Sequence, residues 1–177
     1  VAVEIDPSNN WDVTANDIDM PGDDGIKLIS VSDSRVIANR VESPGGSGIH
    51  VTSENGESSD NNSLIANRIQ SPTLHGINLQ PMSGDVNTAS NNQLLANQVD
   101  DSGGKGIQFL GGSQTQVNNN QALANSVNNS GEQGVLLKEE GSGQVDDNQI
   151  NFNQVNDSGH NGIAVNKGDR NDVSFNT

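Results

Sequence analysis

The stretch Asn97-Gln-Val-Asp-Asp-Ser-Gly-Gly-Lys-Gly-Ile-Gln-Phe109 decides the fold, because the chain writes its pattern six times. Asn16, Asn39, Asn67, Asn97, Asn125 and Asn153 each open a copy, with Ile or Val two places on. Nine residues after each Asn stands Gly25, Gly48, Gly76, Gly106, Gly134 or Gly162, and Ile or Val follows every one. The return leg from Gly to the next Asn varies from 14 to 21 residues, so the whole repeat is 23 to 30 residues long. Self-similarity at such a period is the mark of stacked, repetitive architectures. The length variation falls inside the return leg, at Ser53–Glu57, Met82–Asp85, Gly111–Ser113 and Glu139–Ser142.

Outward from the Asn, the leg ends in a regular way. Another Asn stands five residues earlier in most copies (Asn62, Asn92, Asn120, Asn148, Asn171). An apolar residue stands three earlier (Val36, Leu64, Leu94, Ile150, Val173, with Ala122 the small member). Directly before the Asn come Ala38, Ala66, Ala96, Ala124, Phe152 and Phe175. Strand alternation carries the apolar phase through the positions three before and one before the Asn, then slips to two after it. The slip predicts a bend on the Asn itself, since Asn tolerates the left-handed backbone region. After the Gly, apolar residues at the first and third positions make another short strand. Each repeat therefore reads as three short strands with no helix.

Such strands bury their apolar side only if each repeat coils once and stacks parallel on the next, about 4.8 Å away. Ile26, Ile49, Ile77, Ile107, Val135 and Ile163 then form one core column, and the residues two places on form a second. The Asn residues form a ladder of stacked amides. The expectation is an all-β parallel β-helix solenoid over residues 1–177, of six to seven coils and roughly 30 Å long. Leucine-rich repeats share the period and an Asn ladder, but their further Leu positions are missing here.

Composition fits this reading and narrows the function. Only 30% of residues are apolar and 2% aromatic, with net charge −15. A non-repetitive chain of this kind would struggle to build a core, whereas stacking concentrates a few apolar positions into one. Eight scattered basic residues against 23 acidic ones argue against nucleic acid, whose binding needs phosphates neutralised. No apolar run is long enough for a membrane span. Without Cys there is no disulfide or thiolate site.

The pattern N-x-L-x-A-N-x-V followed by G-x-G-I-x-F, in Asn92 to Phe109, resembles the right-handed parallel β-helix repeat of pectate-lyase-like proteins, alginate epimerases and periplasmic NosD-type proteins. The resemblance covers nearly the whole chain and speaks for fold, because the repeat encodes core and turns. It implies that outward residues around the Gly line a polysaccharide groove. Asp24, Lys27, His50, His75 and Lys105 would gather there, and Arg40 and Arg68 would stack at one outward position. Such a site would suit uronic-acid polymers: a Lys, Arg or His takes the proton beside a carboxylate, and a second cation neutralises that carboxylate. Against this, the chain has no Tyr and no Asp-Pro-His motif. Its only Asp-Pro, Asp6-Pro7, is followed by Ser8, and Trp11 is its only Trp.

Glu54, Glu57, Asp60, Glu139, Glu140, Asp146 and Asp147 lie in the return legs, where oxygen-rich loops would suit Ca²⁺. They match no EF-hand or nonapeptide spacing, and solvated acidic turns are the plainer reading. The three His share no metal-ligand spacing. Neither end carries a polar cap, so the sequence predicts a segment of a longer β-helix, or ends covered by another copy. The expected function is an extracellular or periplasmic scaffold: an adhesin, a matrix filament or a carbohydrate-binding module. Its partners would be polysaccharide, or further copies stacked end to end. The alternative is a polysaccharide lyase or C5-epimerase.

Overall fold

The computed structural model describes all residues, Val1–Thr177. Twenty short strands form three parallel sheets, and each sheet takes one strand from every coil in sequence order. Sheet A follows the glycines, from Val3–Ile5 through Ile107–Gly111 to Ile163–Asn166. Sheet B precedes the Asn, from Asp12–Thr14 to Asp172–Ser174, and sheet C follows it, from Asp17–Asp19 to Gln154–Asn156. Sheets A and B have seven strands and sheet C six, which matches the six to seven coils read from the repeats. No helix is long and apolar enough to cross a membrane.

The columns form in the expected register. Ile77 pairs with Ile107 and Leu79 with Phe109 in sheet A; Val99 pairs with Ile69 in sheet C. These join Leu64 and Leu94 of sheet B in one core of 26 buried residues, with Phe109 fully enclosed. The return legs contribute as well. Val31, Ala89, Val117 and Val145 are buried, and bridges Ser58–Thr88–Gln116–Gln144 tie successive legs together.

The bend is not on the Asn. The residue before it takes the left-handed conformation, with φ of 55° at Ala38, 52° at Ala66, 53° at Ala96 and 59° at Phe152. That turn reverses the alternation: the residue before the Asn faces solvent and the Asn faces inward. The alanines are exposed, as are Phe152 and Phe175, whose rings stack at 5.1 Å. The expectation that this position packs inward is thus corrected.

The amide ladder holds throughout. Asn97 Nδ2 donates to Leu64 O (2.8 Å) and to Asn125 Oδ1 (3.0 Å). Asn97 Oδ1 accepts from the backbone N–H and the Nδ2 of Asn67, both at 3.0 Å. The Asn five residues earlier forms a second ladder, in which Asn92 Nδ2 donates to Ser59 O (3.0 Å) and Asn120 Oδ1 (3.1 Å). A left-handed residue precedes this ladder too (Asn61, Asn91, Asn119, Asp147). The glycines serve close approach: a Cβ on Gly106 would sit 2.6 Å from Gly134 O and collide with Val127.

Asn97→Asp places an acceptor against Asn125 Oδ1 and buries a charge, so it should cost roughly 3–5 kcal/mol in urea unfolding near neutral pH; an unchanged midpoint would remove the ladder from the account of stability. Gly106→Ala should cost about 1–3 kcal/mol through overpacking. Gly22→Ala, which meets nothing within 4 Å, should stay within about 0.5 kcal/mol.

Candidate functional site

The expected groove residues do lie along the outer face of sheet A, because the register sets Lys27 beside His50 and His50 beside Asn78. Asp24 ends the turn before Gly25 and reaches across one coil. Its Oδ2 lies 3.0 Å from His50 Nδ1, and its Oδ1 accepts from the Ser47 N–H at 2.6 Å. Burial opposes charge on Asp24. The His50 and Ser47 hydrogen bonds, with the charges of His50 and Lys27, outweigh that and hold its carboxyl below the usual range. An ionised Asp24 fixes the proton on His50 Nδ1. His50 Nε2 is enclosed and has no hydrogen-bond partner.

His75 lies farther along the same face. Burial, then the Lys105 ammonium, pushes its pKa down to about 4, and its Nδ1 accepts from the Lys105 N–H at 3.1 Å. The Lys105 ammonium turns away to Glu132, 2.8 Å distant, and that hydrogen bond lowers the Glu132 pKa. Glu132 escaped the sequence reading because it stands two before its Gly, outside the positions that reading placed on the face. Beyond His50 the face closes: Asn78, Gln108 and Leu136 are buried, and Gln108 Nε2 donates to Asn78 Oδ1 at 3.0 Å. Lys27 makes no ion pair and stays half-exposed. Arg40 on sheet C pairs with Asp17 (2.7 Å) and Glu42, while Arg68, its neighbour in register, makes none.

The arrangement thus offers one oriented imidazole beside one free ammonium, with no cleft over them. The surface depressions lie elsewhere. One of about 430 Å³ at the first coil is lined by Val3, Ile5, Trp11 and Val13. Two smaller ones lie along the legs, around Ser30 to Ser58 and around Gln116 to Gln144.

The acidic leg residues are spread along the solenoid, and no three His or acidic side chains converge as a metal site would require. Most are engaged locally. Asp60 accepts from Thr88 Oγ1 and the Ser90 N–H, and Asp146 from the Asp169 N–H. Asp147 pairs with Arg170 through two bonds of 2.6 Å. Glu139 accepts from the Val145 N–H, Glu140 pairs with Lys138, and Glu54 lies 3.5 Å from Asn55 Nδ2. Glu57 borders one of the leg depressions.

Parallel coils with repeated inward columns and buried amide ladders define a β-solenoid. The family described as "Right handed beta helix region" matches residues 1–177, and the chain belongs to it. No curated protein and no solved structure matches the chain.

His75 makes the fold acid-sensitive. Its folded pKa of about 4 lies below its ordinary 6.5, so the unfolded chain binds more protons between those values. Stability is therefore complete above pH 6.5 and falls as the pH drops toward 4. His75→Gln, which keeps an acceptor for the Lys105 N–H, should flatten the upper part of that loss in urea midpoints, above the range where carboxylates titrate; identical slopes in both proteins would remove His75 as its source.

Proposed function

We propose that the chain is a rigid, non-catalytic binding scaffold working outside the cell, of the adhesin, matrix or carbohydrate-binding kind. The observation that carries this reading is the state of the sheet A face. Most of its titratable groups are tied to one another, Asp24 to His50 and Lys105 to Glu132, and the free ring nitrogen of His50 is enclosed. Net charge of −15 also keeps polyanions away from it. The repeated residues supply core, ladders and turns, leaving recognition to the outward positions that vary between coils. On this reading the partners are a polysaccharide lying along the rod, or further β-helix coils stacked end to end.

One observation favours catalysis as a second reading. Asp24 orients His50 as it would a general base, and Lys27 stands next in register to neutralise a uronate carboxylate. The decisive experiment incubates the whole chain with polyuronates. Unsaturated ends report elimination, and deuterium entering the sugar from heavy water reports epimerisation. The scaffold reading expects neither product; turnover that disappears in His50→Ala would overturn it in favour of a lyase or epimerase.

A further inference from the structure

The middle position of sheet A was expected to carry recognition, yet the most regular outward feature lies on sheet B. Its first five strands, from Asp12–Thr14 to Gln121–Leu123, bury the central residue and turn the next one out. In four successive coils that outward residue is Ile37, Ile65, Leu95 or Leu123, each half-buried and aligned in register. The exposed alanine of the left-handed bend follows each one. The same column is polar before and after, with Thr14, Asn151 and Ser174. Large aliphatic side chains on a solvated face are therefore confined to four coils, a run of about 14 Å. At the other end of the strands stand Ser63, Gln93 and Gln121, also facing outward. The two glutamines make no side-chain hydrogen bond within the chain, unlike Gln98, whose amide is held by Asp100. From Ser63 to Leu123, sheet B presents no charge at all, on a molecule with 23 acidic residues.

We propose that this strip is the docking surface for an extended, uncharged polysaccharide lying parallel to the solenoid axis. The proposal rests on the scaffold reading and assigns its ligand class and face. The strip is about 14 Å long and one three-residue strand, about 10 Å, wide. A stable protein partner such as a second copy needs about 800 Å² per side, several times this area. Its one cation, Arg35 at the edge of the first strand, faces Asp12 at 3.6 Å, and the other three strands offer a polyanion none. An uncharged glycan fits its chemistry: pyranose rings set their CH faces on the aliphatic column and their hydroxyls against the free carboxamides. Neighbouring coils repeat about every 4.8 Å, close to the advance of an extended glycan per sugar. Successive rings then meet equivalent side chains, and weak contacts add along the polymer.

The test uses the whole chain and measures retention on cellulose and chitin beads, with polygalacturonate beads as the charged comparison. The double variant Leu95→Asn with Leu123→Asn puts in the strip the residue that Asn151 already places in that column, and urea unfolding checks that it folds. Gln93→Ala with Gln121→Ala leaves the aliphatic column intact. The proposal expects wild-type retention on a neutral glycan, at least about tenfold weaker in each double variant and unchanged in His50→Ala. It is overturned if wild type binds neither neutral glycan, or binds one equally well with the strip altered; in both cases the scaffold reading survives. It is also overturned if sedimentation shows a dimer that the Leu95→Asn, Leu123→Asn variant abolishes, which assigns the strip to a second copy. Turnover of a bound polymer, by contrast, removes the scaffold reading on which the proposal stands.

Discussion

A carboxamide carries a donor and an acceptor on one short planar group, so it can bond to a copy of itself one coil away. The structure depends on that property. Each ladder oxygen also accepts the backbone N–H of the Asn one coil back, at the corner itself, as Asn97 does from Asn67. Buried backbone groups must be paired, and a coil that turns this sharply breaks its own strand pairing at the corner. The amide fills that gap in every coil. With Asp in its place the donor is lost; with Leu both functions are lost.

Two such columns bracket sheet B, five residues apart, and each sits just after a left-handed residue. The strand between them is clamped at both ends, so its register cannot slip. The glycine column sets the other constraint, letting neighbouring coils approach closely at the turn into sheet A. With corners and turn fixed, the return leg is free to vary in length. It does so between 14 and 21 residues without disturbing the cross-section, because the inserted residues lie outside the core column that Val31, Ala89, Val117 and Val145 continue.

The architecture was legible in the sequence wherever a side chain repeats for one physical reason. The Asn, Gly and Ile columns are of this kind, and all lie where the spacing put them. The left-handed position was misread because the chain places Ala there, a residue with no preference for that region, directly before an Asn that has one. The second amide ladder was visible as a recurring Asn, but its bonding depends on which way that residue faces. The outward aliphatic column was hidden by apolar neighbours on both sides, since Leu94-Leu95-Ala96 gives no alternation to read. At the candidate site, register alone placed Asp24 near His50. Glu132 took the Lys105 ammonium through a side-chain choice that spacing does not encode.

Every coil bonds only to the coil above and the coil below, and this gives the rod a particular response to force. Pulled from its two ends, the chain peels one coil at a time, each releasing a slack loop of 23 to 30 residues before the next is loaded. Folding units that interact only with their nearest neighbours come apart in series. The solenoid is then a mechanical fuse as well as a rod, lengthening in similar steps while the coils still stacked keep their surface intact.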